Sequence, residues 1–293
     1  MEREPLPNSA KIKVDIGIAC NIMQSYQWST GIMNLLINEE RNNGILINAV
    51  RGVGSALPDH NRNAIICDTY KRNHLTDSNR SEVTRGFMSG KADWLFWIDD
   101  DTVPPIDAIS RLIRSGRDFI AGLYFQPAPP FAPIAYRRRE VDGLYYPIYD
   151  YNEGALIKVD SVGMGCTLIH RSVYQRIMDS FDVFIKRNGS VQVVRKDLVF
   201  GDRIEKHKNI KEPYVEDGIY HEQYSVATED DHRQFPFYLL EYGRTEDYHF
   251  CELANQIGIY PWVDTTIVCD HWKLNPFNDK NYKQELEEAQ GLR

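Results

Sequence analysis

Residues 93–105 read DWLFWIDDDTVPP. Five apolar residues, Trp94 to Ile98, run straight into three adjacent carboxylates, Asp99, Asp100 and Asp101. The apolar run is polarised toward neither face, so it predicts a strand covered on both sides, as in the middle of an α/β sheet. The carboxylates repel one another and call for water or a cation. Two prolines, Pro104 and Pro105, already turn the chain. A single Asp here would be explained as the cap of a following helix; three in a row exceed that need. The triplet therefore points to a hard divalent cation held by carboxylate oxygens, with phosphate oxygens filling other positions.

Outward from this stretch, strand and helix patterns alternate. Residues 11–20, KIKVDIGIAC, read as a strand. STGIMNLLINEERNNG, residues 29–44, follows as a helix with Ser29 or Thr30 at its start and Gly44 at its end. ILINAV is a second strand. Residues 59–90 suggest two helical pieces. After the DWLFWI strand, Pro105 opens a helix that closes near Gly116, and DFIAGLYF is a fourth strand. The alternation over 11–125 predicts an α/β fold with a mostly parallel central sheet flanked by helices. Ligands of such sheets bind beyond the carboxyl ends of the strands, where the triplet lies. Past the proline-rich QPAPPFAP the pattern loosens. VDSVGMGCTLIHRSVYQRIM gives a glycine turn, a short strand and a helix. Residues 185–235 are polar and hard to assign. TEDYHFCELANQIG is an amphipathic helix, and IYPWVD and TTIVCDHW complete the core. The expected organisation is a single domain over 1–293, with halves 11–125 and 126–272 and a charged tail 273–293.

Further candidates carry chemistry only in company. Thr245-Glu246-Asp247 opens the last long helix, where capping alone would account for its acids. His271 ends an apolar strand, the common fate of a lone histidine. Beside Asp101 it would make a mixed oxygen and imidazole site suited to Mn²⁺. Arg62-Asn63 precede an apolar helical segment on the side of the sheet where a phosphate would sit. Gly163 and Gly165 either make a turn or let backbone approach a ligand closely. Trp28, Tyr124 and Phe125 could stack on a sugar, with core packing the default. Gly52-Val53-Gly54 lacks the third glycine of a dinucleotide fingerprint.

Composition excludes little but orders the choices. The 293 residues are 42% hydrophobic and 26% charged, with net charge −8. That balance argues against a broad basic surface for nucleic acid. The five cysteines have no CxxC spacing and read as reduced thiols. The N-terminus has no apolar signal region, and no run is long enough for a membrane span.

Taken in order, HNRNAI, ADWLFWIDDDTVPPIDAISRLI, DFIAGLYF, VGMGCTLIHRSVYQRI, TEDYHFCELANQIGIYPWVDTTI and CDHW resemble the GT-A class of nucleotide-sugar glycosyltransferases, especially the family 2-like bacterial and phage type. The stretches span residues 60–272. The resemblance implies a Rossmann-like GT-A fold and an enzyme moving a hexosyl or pentosyl group from a nucleoside diphosphate sugar, a UDP-sugar by expectation, to an acceptor hydroxyl. DDD looks like the DXD motif. It implies that Asp101 ligates Mn²⁺ or Mg²⁺, with His271 as second protein ligand, and that Asp99 and Asp100 contact the ribose or metal-bound water, Asp99 being a further metal candidate. Arg62, Asn63 and Cys20 would lie on the donor side. TEDYHF looks like the ED motif. Asp247 would then be the base of an inverting transfer and Glu246 its positioning partner, with Gly163–Cys166 lining the acceptor side. The acceptor stays open: a glycan, a small molecule or, less readily, modified DNA. The setting implied is the cytoplasm of a bacterium or a phage-infected host. The insert around 70–80 and the long 185–240 segment depart from a minimal member.

Three other readings compete, and a fourth, a metal nuclease, is disfavoured by the acidic net charge and the missing second acidic cluster near the triplet. A nucleotidyltransferase on a similar sheet would need a basic glycine-rich loop near the N-terminus, and IACNIMQSYQWSTG has no Lys or Arg. A nucleotide-sugar binder would have no use for Asp247. A retaining glycosyltransferase shares the implied fold.

Overall fold

The structure is a computed structural model and describes residues 11–20, 26–54, 58–67, 86–127, 129–186, 191–197, 214–216, 219–221, 224–226, 235–240, 244–272, 276–277 and 283. The insert around 70–80, much of 185–240 and most of the tail from 273 onward lie outside the described residues.

The chain begins with strand β1 (Lys13–Cys20), helix α1 (Tyr26–Asn42), strand β2 (Leu46–Gly54) and helix α2 (Pro58–Ile66). β3 (Trp94–Asp99), the short β4 (Thr102–Val103), α3 (Ala108–Arg114) and β5 (Phe119–Leu123) follow. Next come β6 (Ala135–Arg138), β7 (Tyr145–Pro147), β8 (Leu156–Lys158), β9 (Ser161–Val162), β10 (Cys166–His170) and α4 (Arg171–Ser180). After the small strands β11 (Phe181–Lys186), β12 (Val191–Arg195), β13 (Tyr214–Glu216), β14 (Ile219–His221) and β15 (Tyr224–Val226), the described core closes with α5 (Glu246–Gln256), β16 (Trp262–Val268), β17 (Asp270–Trp272) and β18 (Pro276–Phe277).

Seven strands form the main sheet in the order β2-β1-β3-β10-β5-β16-β8. It draws on both expected halves of the chain. The sheet is mixed, where the alternation of elements predicted a mostly parallel one. β1 runs parallel to β2 and β3, and β5 parallel to β16; β10 and β8 run against their neighbours. β10 reverses because it starts at the carboxyl edge. The turn Gly163–Gly165 delivers Cys166 opposite Ile98, and the strand descends until His170 faces Trp94.

β3 has neighbours on both edges, and Leu95 to Ile98 are fully buried. Leu95 and Trp97 face one apolar layer with Ile65 of α2, Tyr174 of α4 and Phe250 of α5. Phe96 and Ile98 face the opposite layer with Trp28 and Leu35 of α1 and Leu112 of α3. The alternation of burial along an unbroken apolar strand thus produces helices on both faces. Gly17 on β1 leaves room for the Trp97 ring, which a Cβ would meet at 2.7 Å.

α1 starts at Tyr26, three residues before the expected Ser29 cap. The extra turn brings Trp28 into the core, where its indole N–H donates to the Asp99 carbonyl at 2.8 Å. α3 starts at Ala108 after Asp107, and the first-turn amide of Ser110 is bound by the buried carboxylate of Glu39 at 2.9 Å. The aspartate triplet does not cap this helix, so capping leaves Asp99–Asp101 unexplained.

Candidate active site at the carboxyl edge of the sheet

Asp99 is the last residue of β3, and Asp100 and Asp101 form the turn to β4. β4 pairs with β17, placing Thr102 opposite His271, and the Trp272 amide donates to the Asp101 carbonyl at 2.6 Å. This pairing of very short strands, distant in sequence, sets the His271 Nε2 3.1 Å from the Asp101 Oδ2. The other ring nitrogen, Nδ1, lies 2.7 Å from the Phe125 carbonyl. A carbonyl only accepts, so Nδ1 carries the proton and, on a neutral ring, Nε2 presents its lone pair to the carboxylate. Two lone pairs at that distance need a second ring proton or a cation. A metal-ligating histidine has this arrangement, with its remote N–H fixed on an oxygen.

Asp101 and His271, expected to share a metal ion, are thus brought side by side. Among the described residues, no group of three or more His, Cys, Asp or Glu side chains could hold a metal ion by itself. Asp99 belongs to the same turn, but its carboxylate is engaged elsewhere: Oδ1 accepts from Arg62 Nη2 at 3.0 Å.

Arg62 joins the two ends of the site. Its side chain, 3% exposed, rises from α2. Beyond Asp99, its Nε lies 3.4 Å from Glu246 Oε1 and 3.4 Å from Asp247 Oδ1. The guanidinium sits over the rings of Trp97 and Tyr238, 5.3 and 5.9 Å from their centroids. Burial works against its charge, but Asp247, Asp99 and Glu246 outweigh that and hold it protonated well above the usual range. Asn63, expected beside the nucleotide, is engaged by the chain instead: its amide group accepts from the Tyr238 N–H at 3.1 Å and donates to the Tyr238 carbonyl at 2.6 Å. Cys20 closes β1 opposite Gly54.

Asp247 stands in the first turn of α5, with Thr245 at the N-cap position making no side-chain cap bond. Its Oδ2 accepts from the Met164 amide at 3.2 Å, in the glycine turn. Burial and the neighbouring Glu246 and Asp99 charges push the Asp247 carboxyl well above the usual range; Arg62 and the Met164 amide oppose them. Three carboxylates facing one guanidinium leave an excess of negative charge.

The glycine turn is held against Tyr124, whose hydroxyl accepts from the Gly165 amide at 3.0 Å. Burial, Asp99 and Asp247 keep that hydroxyl protonated far above its usual range, so its own proton stays available for donation. A Cβ on Gly163 would overlap the Tyr124 hydroxyl, and one on Gly165 would lie 2.8 Å from the Tyr124 ring. Trp28, Tyr124 and Phe125 are buried at 4%, 4% and 1% exposure, which makes them framework and not a sugar platform. Trp28 and Tyr124 still serve the site by fixing Asp99 and Gly165. Their aromatic character was legible in the sequence; their polar partners were not. Thr102 and Trp272 were not singled out. Their buried Oγ1 and indole Nε1 have no hydrogen-bond partner among the described residues, nor has Arg62 Nη1.

No protein-family description matches the chain, and no curated protein matches it. The crystal structure of A197 from STIV aligns over 89% of this chain and 86% of its own, at 14% identity and a TM-score of 0.44. At that score the likeness carries no argument about fold or chemistry.

Proposed function

We propose that the protein is a metal-dependent glycosyltransferase that moves a sugar from a nucleoside diphosphate sugar to an acceptor hydroxyl. The reading is supported above all by the Asp101–His271 pair at the carboxyl edge, linked through Asp99 and the Arg62 bridge to the acidic first turn of α5. Asp101 and His271 would hold Mn²⁺ or Mg²⁺, and the residues that follow them, Thr102 on β4 and Trp272 on β17, carry buried donors without a hydrogen-bond partner among the described residues. A bound cation supplies positive charge for the negative charge that develops on a departing diphosphate. On the other side, Asp247, held by the Met164 amide and Arg62, would take a proton from an attacking hydroxyl. Its raised proton affinity brings a carboxylate closer to the range in which a general base is effective at neutral pH. An inverting outcome follows from that assignment.

The test is turnover of a panel of nucleoside diphosphate sugars, with water or added sugars as acceptor, in the presence of Mn²⁺ or Mg²⁺. Release of nucleoside diphosphate that stops with EDTA supports the reading. Metal-independent turnover, or none with any donor together with no binding of UDP, would sink it. Donor binding without turnover, unchanged by Asp247→Asn, would favour a nucleotide-sugar-binding protein.

A further inference from the structure

Arg62 is placed unlike a phosphate-binding arginine, and this bears on how the proposed site works. A phosphate-binding guanidinium keeps its fork open for the ligand. Here Nη2 and Nε already face carboxylates from two elements, Asp99 at the end of β3 and Glu246 and Asp247 on α5, with the cation against both the Trp97 and the Tyr238 rings, which meet edge to face, and the remaining Nη1 buried. The surroundings leave it little freedom. Asn63, its neighbour on α2, clamps the Tyr238 backbone from both sides, and the Asp99 backbone is held by Trp28 and by the Gly165 carbonyl, which its amide meets at 3.3 Å.

Resting on the glycosyltransferase reading, we propose that Arg62 is a positioning residue that couples the metal-binding turn to the acceptor-side acids: one rigid guanidinium fixes Asp99 relative to Asp247 and competes with the metal ion for the negative charge of the turn. Two consequences follow. A divalent cation arriving at Asp101 and His271 meets a positive charge already bound to the adjacent Asp99, so Arg62 weakens bare-metal binding. A metal that arrives with a diphosphate brings its own negative charge and feels less of this opposition. Arg62 thereby favours the metal–nucleotide complex over the free ion, while keeping Asp247 at a set distance from the sugar.

The alternatives make opposite predictions for a charge-removing variant. Arg62→Gln keeps a planar hydrogen-bonding head but loses the charge. If Arg62 acts as proposed, Arg62→Gln binds Mn²⁺ alone about tenfold more tightly by titration calorimetry, the effect of removing one nearby like charge across a partly wet site. Its kcat falls about 10²-fold because Asp247 loses its fixed distance, and its affinity for UDP with Mn²⁺ changes less than its affinity for Mn²⁺. A direct phosphate contact predicts instead a selective loss of UDP affinity with Mn²⁺ binding unchanged. A purely structural role predicts parallel losses that follow the melting temperature. Either result overturns the proposal. Should Arg62→Gln fail to fold, Arg62→Lys provides the test. It keeps the charge but lacks the fork that spans two carboxylates, so kcat should fall while the affinity for Mn²⁺ stays near that of the wild type; unchanged kcat overturns the proposal. A wild-type protein that binds neither Mn²⁺ nor UDP overturns the glycosyltransferase reading itself, whereas wild-type binding with an unresponsive Arg62→Gln removes only the role of Arg62.

Discussion

At the scale of single residues, the competition between function and stability is sharpest at Asp247. Burial, and after it the Glu246 and Asp99 charges, give this carboxyl a greater proton affinity folded than unfolded. The native state therefore binds the extra proton, and the sign of the linkage follows. Its contribution to stability is fully present below the unfolded value of about 3.9 and is lost as pH rises through the higher folded value. Asp247→Asn removes that loss and keeps an oxygen for the Met164 amide. Its melting temperature should exceed that of the wild type at pH 7 and approach it at about pH 4, while kcat falls about 10²- to 10⁴-fold, the range for a lost general base. Were Asp247 only a first-turn acid favouring the helix dipole, the substitution would lower the melting temperature slightly and leave turnover alone. The proposed metal pair makes a graded prediction. Asp101→Ala should abolish Mn²⁺ binding in calorimetry. His271→Ala should weaken it by about tenfold or more, since phosphates and waters supply the remaining positions. Equal, negligible effects of both would remove the pair from the site.

At the scale of elements, the glycine turn between β9 and β10 is shaped by one tyrosine. The closest overlap that a Cβ on Gly163 would create is with the Tyr124 hydroxyl, and the next is with Ile134 Cγ2, at 2.7 Å. Gly163→Ala should therefore cost about 1–3 kcal/mol in urea unfolding, the usual penalty of overpacking. Tyr124→Phe should cost about 1–3 kcal/mol by a different route, leaving the buried Gly165 amide without its acceptor. Combined, the two should cost less than their sum, because removing the hydroxyl removes the larger overlap and leaves only the one with Ile134; strict additivity would mean the turn relaxes elsewhere. Much at this scale was legible beforehand. The buried strand 94–99, the helix from Glu246 and the strand–helix run 166–180 emerge near their expected bounds because each has a strong apolar period. What was not legible is direction and partnership. A five-residue strand such as CTLIH carries no mark of which way it runs, so the alternation over 11–125 gave no warning that β10 would insert antiparallel between β3 and β5. The early start of α1 depended on a tertiary bond, Trp28 to Asp99, that no local propensity announces.

At the scale of the molecule, the site is an intersection of elements that meet nowhere else in sequence. β3 ends in Asp99, α2 supplies Arg62, α5 supplies Glu246 and Asp247, and β17 brings His271 to Asp101 through a two-residue ladder with β4. Residue types and order suggested a shared role for these groups; only the folded chain shows the Arg62 bridge and the β4–β17 pairing. Such a convergence concentrates like charge where the sheet ends, and it gives the site a measurable effect on the whole fold. A ligand that binds the native state alone stabilises it by mass action, by about 2.7 kcal/mol at a free concentration one hundred times its Kd. Mn²⁺ with UDP should thus raise the melting temperature by several degrees. The order of effects matters more than their size. Each component alone should shift the midpoint less than the pair, because on the proposed reading the cation would relieve the carboxylates and the diphosphate would supply the oxygen ligands that Asp101 and His271 leave open. EDTA should return the midpoint to its starting value, and Asp101→Ala should abolish the shift without lowering the midpoint of the free protein, since it removes one charge from a crowded turn. Were UDP to raise the midpoint equally in EDTA, the nucleotide would be bound without the metal, and the aspartate turn would need another explanation.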